Sequence, residues 1–119
     1  MKAIDIDAKL ALFDDHWSPK IIASVNEHEV KLAKFKGAFE WHRHQDSDEL
    51  FLVLDGSFTM ELREGSVHLE KGQMIVVPRG VDHRPTTDSE CSVMLIEPKG
   101  LINTGDGELN EISTTGTWI

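Results

Sequence analysis

The middle of the chain is cut into short pieces. Asp55-Gly56, Glu64-Gly65, Gly72 and Pro78-Arg79-Gly80 interrupt apolar runs of four to seven residues. No helix of useful length fits between such breaks, whereas short strands do. The runs also carry strand texture. Phe58, Met60 and Leu62 alternate with Thr59, Glu61 and Arg63, which is the period of a half-buried strand. Strands are expected at Phe39–His44, Glu49–Leu54, Ser57–Arg63, Val67–Glu70, Met74–Val77, His83–Thr87 and Ser92–Ile96. Asp55-Gly56 reads as a hairpin turn. Many short strands joined by tight turns imply an all-β sandwich or barrel.

Before this region, Ile21–Val25 and Glu29–Phe35 read as two further strands joined at Asn26-Glu27-His28. In the second, Val30 and Leu32 share a face, and Lys31 with Lys34 is expected to face solvent. Ile6, Leu10 and Phe13 recur at helical spacing, so a short helix is expected ahead of Pro19. After Pro98 the chain turns polar, through Gly100, Asn103, Gly105 and Gly107, and finishes on Thr117-Trp118-Ile119. This tail is expected to wrap over the barrel or over a partner.

The 119 residues suit one domain, with a core at about residues 20–97 and a tail at 98–119. A formal charge of −9 disfavours sequence-independent nucleic-acid binding. The longest apolar run, Leu50–Leu54, is far short of a membrane helix. The chain opens without the apolar core of a signal peptide, so a cytoplasmic location is expected. The single Cys91 excludes an internal disulfide, and the absence of tyrosine removes that residue as a base or cross-link.

The chemistry-bearing residues are histidines and one glutamate. On a strand, His42 and His44 project to the same side. Glu49 opens the next strand, and His83 follows the Pro78-Arg79-Gly80 turn. Three imidazoles and a carboxylate suit one divalent transition metal: Fe, Mn, Ni, Cu or Zn. Glu40 shares the His42 face and is a candidate proton carrier or partner of a ligand imidazole. Arg79, in its turn, is a candidate for binding an anionic substrate. Trp17, Trp41 and Trp118 are expected to serve packing.

These residues carry a family resemblance. Gly37-x4-His42-Arg43-His44-x4-Glu49-x6-Gly56 resembles the first motif of the cupins, and Gly72-x5-Pro78-Arg79-Gly80-x2-His83 resembles the second. Two departures stand out: one residue fewer follows Gly37, and Thr87 stands where the second motif usually ends in Asn. The resemblance implies a small single-domain cupin: a conical jelly-roll barrel with the metal in its wider mouth. It implies His42, His44, Glu49 and His83 as ligands. Phe51 and Val53, then Phe58, Met60 and Leu62, are expected to line an apolar pocket beside them.

Several activities follow as expectations. The leading one is a metal-dependent enzyme, a dioxygenase or an isomerase or lyase, acting on a small organic substrate. The alternative is a non-catalytic metal-binding or sensor cupin. Cupin thiol dioxygenases lack the glutamate, and some carry a tyrosine cross-link. Sulfonium-compound lyases use a tyrosine base. Glu49 and the missing tyrosine therefore disfavour both. A homodimer is expected from the apolar strands Leu50–Leu54 and Met74–Val77, which lack a polar face.

Overall fold

The computed structural model describes residues 1–119. One short helix, α1 (Ile6–Leu10), precedes eight strands: β1 (Lys20–Val25), β2 (His28–Ala38), β3 (Glu49–Asp55), β4 (Ser57–Leu62), β5 (Gly65–Glu70), β6 (Met74–Val77), β7 (His83–Pro98) and β8 (Thr117–Trp118). The expectation of an all-β jelly-roll barrel with a short N-terminal helix holds. Asp5 caps the helix by accepting a hydrogen bond from the Ala8 amide.

The long strand β7 is the spine. One edge pairs antiparallel with β2 from His28↔Pro98 to Ala38↔Thr86. Its other edge serves two strands in succession, β4 along His83–Thr86 and β3 along Ser92–Ile96. Beyond β2 the sheet continues through β1 to β8, and beyond β4 to β5; β6 pairs with β3. The inward side chains form one core, including Ala33, Phe35, Phe51, Val53, Phe58 and Met60.

The structure corrects several strand-level expectations. His83–Thr87 and Ser92–Ile96 are one strand. Between the pairs Gly37↔Thr87 and Phe35↔Cys91, β7 has three intervening residues where β2 has one, so β7 bulges but does not end. Asp55-Gly56 is not a hairpin. β3 and β4 run in line along the same edge of β7, and Gly56 is the kink between them. Its φ is +79°, and a Cβ there would lie 2.8 Å from the Glu90 carbonyl oxygen in the β7 bulge. Glycine is required by that close approach. Phe39–His44 is not a continuous strand. Its backbone bonds fall at separate points, with Pro85, with His83 and with Gly80, leaving an arch that meets β7 through the His42↔His83 bridge.

Lys31 does not face solvent. Glu29, Lys31, Ala33 and Phe35 share the inner face of β2, and Lys31 is 1 % exposed. Its ammonium lies 2.7 Å from Glu97 Oε1 and donates to the Thr115 carbonyl at 3.1 Å. Glu97 is the β7 residue paired with Glu29, so adjacent strands supply the countercharge. Lys34 is half-buried, and its ammonium donates to the Leu10 and Phe13 carbonyls.

The tail wraps its own barrel. β8 lies parallel to β1, and Asp106 is bound at Gln45 and Arg43 on the arch. Gly105 passes so close beneath Arg43 that a Cβ would overlap that residue's carbonyl.

Candidate metal centre

The arch between β2 and β3 carries His42 and His44, the first residue of β3 is Glu49, and the first residue of β7 is His83. The His42↔His83 bridge, with reciprocal backbone bonds of 3.1 and 2.9 Å, brings arch and spine together. The four side chains converge: one donor atom from each lies within 4.8 Å of all the others. His44, Glu49 and His83 are buried, and His42 is half-buried.

Hydrogen bonding orients two of the imidazoles. His83 Nδ1 lies 2.9 Å from the Val81 carbonyl, and His42 Nδ1 lies 3.0 Å from the Glu40 carbonyl. A carbonyl only accepts, so each Nδ1 carries the proton and each Nε2 keeps its lone pair. His83 Nε2 and His44 Nε2 each sit 3.4 Å from Glu49 Oε1. None of these atoms has a hydrogen-bond partner, and neither does His44 Nδ1. Orphaned buried polar atoms are costly, and here they are clustered and rich in lone pairs. A divalent cation satisfies such a set, and the mixed nitrogen and oxygen donors suit a transition metal.

Electrostatics agree. Burial, aided by the neighbouring His83, lowers the His42 pKa to about 4, so the ring is neutral near pH 7. Against its burial, the adjacent Glu97, His44 and His83 groups hold the Glu49 carboxyl well below its usual range. Burial and the Glu49 carboxylate push the Glu97 carboxyl well above that range.

The His42 shift predicts a pH effect on the metal-free protein. The folded ring stays neutral down to about pH 4, whereas the unfolded ring takes its proton near 6.5. Between these values the unfolded state binds more protons, so stability falls as pH falls. From pH 7 to pH 5 the loss is about 2 kcal/mol, read as urea midpoints. A His42→Asn variant removes this part of the slope.

A cavity adjoins His42 and Glu49. Its other walls include Trp17, Phe35, Phe39, Phe51, Leu95, Glu97 and Asn103, and it has about 30 Å³ of room for water centres. Of the five expected pocket residues, Phe51 lines it. Val53, Phe58 and Met60 fill the barrel core, and Leu62 packs against that core. Glu40 supplies its backbone carbonyl to His42, while its carboxylate accepts from Asn110 Nδ2 in the tail at 3.0 and 3.1 Å. Arg79 is exposed, 3.4 Å from Asp48, outside the cavity. Trp41 lies outside it too, beneath the guanidinium of Arg63 at 3.9 Å.

Sequence reasoning missed most of the cavity wall, with Trp17 and Glu97 the most informative omissions. Trp17 stacks on Phe35 and Phe39 at 4.6 and 4.9 Å, with a left-handed φ of +60°. Glu97 points inward beside Leu95. Its position on the inner face follows from β7 alternation, but the expected strand stopped at Ile96.

Comparison with known proteins gives the same picture. The model of the Cupin domain family matches residues 28–97. The Bacillus subtilis protein YdbB is 41 % identical over 79 residues, covering 66 % of this chain and 70 % of its own. The acireductone dioxygenase of Phaeosphaeria nodorum is 36 % identical over 78 residues, 61 % of this chain but 41 % of that enzyme. The chain thus spans about two fifths of that dioxygenase. The crystal structure of a cupin-2 domain protein from Shewanella frigidimarina superimposes with a TM-score of 0.79 at 43 % identity, covering 80 % of this chain and 93 % of that one. The motifs, the barrel and these matches converge: the chain belongs to the cupin family.

Proposed function

We propose that the chain is a metal-dependent oxidoreductase of the cupin dioxygenase type, acting on a small organic molecule. The observation that carries this reading is the convergence of His42, His44, Glu49 and His83, the last three buried with unpartnered donor atoms, beside an aromatic-walled cavity. The similarity to an acireductone dioxygenase supports the reaction class.

His42 and His83 would offer Nε2, His44 a ring nitrogen and Glu49 its carboxylate to one divalent ion. Such an ion polarises oxygen ligands and, when redox-active, activates dioxygen. The protein supplies the remainder. The Glu40 and Val81 carbonyls fix the tautomers and ring planes of His42 and His83. Trp17, Phe35, Phe39 and Phe51 exclude bulk water from the cavity side, strengthening polar interactions there.

Oxygen consumption by the Fe²⁺-loaded protein, followed over a panel of catechols, enediols and diketones, tests the activity. Uptake of oxygen with at least one substrate, abolished in the His42→Ala/His44→Ala variant, is the expected outcome. Tight ligand binding with no uptake across the panel would instead identify a binding protein.

The homodimer is proposed on a separate observation. Leu50, Leu52, Met74, Val76, Met94 and Ile96 pair across β6, β3 and β7 on the outer side of the sheet. Met74 and Val76 are 60 % and 48 % exposed. In a chain of charge −9, this uncharged stripe is where two copies meet without repulsion. Light scattering at micromolar concentration should give a dimer, and a Val76→Glu variant a monomer. A monomeric native chain would refute the assignment.

A further inference from the structure

Among the buried polar atoms without a partner, four belong to His44, Glu49 and His83, and a metal accounts for three of them, since it takes one of the two His44 ring nitrogens. The fifth is Glu97 Oε2. Glu97 is outside the four-residue donor cluster and is 2 % exposed. Its other carboxyl oxygen, Oε1, is held by the Lys31 ammonium at 2.7 Å. Lys31 is fixed in turn by the Thr115 carbonyl at 3.1 Å, with Glu29 at 3.9 Å. One end of the carboxyl is therefore anchored on Lys31, and beyond that lysine the carboxyl meets Glu49 of the metal-binding set.

The end turned from Lys31 has a place to act. Glu97 lines the same cavity as His42 and Glu49. Apart from those two, the other polar side chains of that wall are the Trp17 indole and Asn103, and their groups are already engaged. Trp17 Nε1 donates to the Lys36 carbonyl, Asn103 Nδ2 donates to the Trp17 and Ile112 carbonyls, and Asn103 Oδ1 accepts from the Thr114 amide. The remaining wall is aromatic, aliphatic or proline. No Arg or Lys lines it, which disfavours an anionic ligand. Beyond the metal-binding set, Glu97 Oε2 is the one hydrogen-bonding side-chain atom of the cavity with no partner outside that set.

We propose that Glu97 is a ligand-contacting residue of this site. Its Oε2 hydrogen-bonds a hydroxyl of the bound molecule while a neighbouring oxygen of that molecule occupies the metal. The ligand class is a flat, uncharged compound with two adjacent oxygens, at least one of them a hydroxyl: a catechol or an enediol. Flatness follows from the stacked walls of Trp17, Phe35 and Phe39. The cavity now has room for about two waters, given the ~10–15 Å³ each requires. The ligand takes their place by displacing them and turning the Trp17 ring, which breaks its indole N–H bond to the Lys36 carbonyl at 2.8 Å while the Trp17 backbone stays tied to the Lys34 carbonyl at 2.9 Å and to Asn103 at 3.3 Å. This assignment rests on the metal-centre reading above, and its test separates the two.

The experiment is a comparison of two ligands on two proteins, each loaded with Co²⁺. Dissociation constants for catechol and for phenol are measured by optical titration on the native chain and on Lys31→Met/Glu97→Leu. That variant removes both partners of the buried pair and leaves neither charge stranded. Chelation contributes to the catechol preference of both proteins, so the change in the phenol-to-catechol ratio isolates Glu97. The ratio is expected to fall at least fivefold in the variant. A smaller fall overturns the proposal, as does a native chain that takes up Co²⁺ but not catechol. Loss of Co²⁺ uptake in the variant alone also overturns it, assigning Glu97 to the placement of Glu49. A native chain that takes up no Co²⁺ defeats the metal-centre reading itself. Should the double variant not fold, Glu97→Asp, which keeps the charge but withdraws it by one methylene, is held to the same fivefold criterion.

Discussion

Lys31→Met alone should destabilise the metal-free protein by about 1–3 kcal/mol, the cost of leaving buried oxygens without their donor. Lys31 is 1 % exposed and is the cation held against Glu97, with Glu29 close by. Removing it leaves Glu97 Oε1 and the Thr115 carbonyl without their donor and drives the Glu97 carboxyl further toward its protonated form. Adding Glu97→Leu removes the stranded group, and the double variant should return to within about 1 kcal/mol of the native chain, because replacing a whole buried pair by apolar residues is often neutral. Urea unfolding of the three proteins checks this. Equal losses in the single and double variants would show that Lys31 acts through packing alone.

The second large effect concerns Glu49. It is 4 % exposed, with Oε1 lying 3.4 Å from ring nitrogens of both His44 and His83. Glu49→Gln keeps the shape and removes the one anionic donor of the cluster. Metal affinity at pH 7 should fall on the order of a hundredfold or more, at least as much as changes to outer-sphere partners of metal sites produce. The metal-free variant should remain folded, because an amide can hydrogen-bond the imidazoles that the carboxylate touched. Competition with a chromophoric chelator measures the affinity, and circular dichroism checks the fold. Unaltered affinity would remove Glu49 from the donor set.

The grouping of His42, His44, Glu49 and His83 was legible because these residues and the glycines and proline around them resemble the two cupin motifs. The all-β class was legible without that resemblance, since strand alternation in β4 and the breaks at Gly65, Gly72 and Gly80 survive without tertiary information. Lys31 was not legible. A lysine in an amphipathic strand looks solvated unless the charge opposite it is known, and Glu97 lies 66 positions further along the chain. Gly56 was misread because the same dipeptide serves a hairpin or a kink, and only the β7 bulge at Glu90 decides between them. Trp17 escaped notice because its place in the cavity wall depends on stacking against Phe35 and Phe39, two strands' worth of geometry away from its own loop.

The association of fold and site is economical. A single spine strand, β7, supplies His83 at one end and Glu97 at the other, and pairs on both edges with the strands that bear Lys31 and Glu49. Strain at either end should therefore be felt at the cluster, and the tail, bound to Lys31 through Thr115 and to the arch through Asp106, shares in it.

The central claim is that His42, His44, Glu49 and His83 together hold one divalent metal. Elemental analysis of protein purified without a histidine tag, combined with thermal unfolding before and after metal addition, tests it most directly. The expected result is about one transition-metal ion per chain, and a rise in Tm on reloading the chelated protein that is absent in His42→Ala/His44→Ala. A native chain with no bound transition metal and an unchanged Tm on metal addition would contradict it.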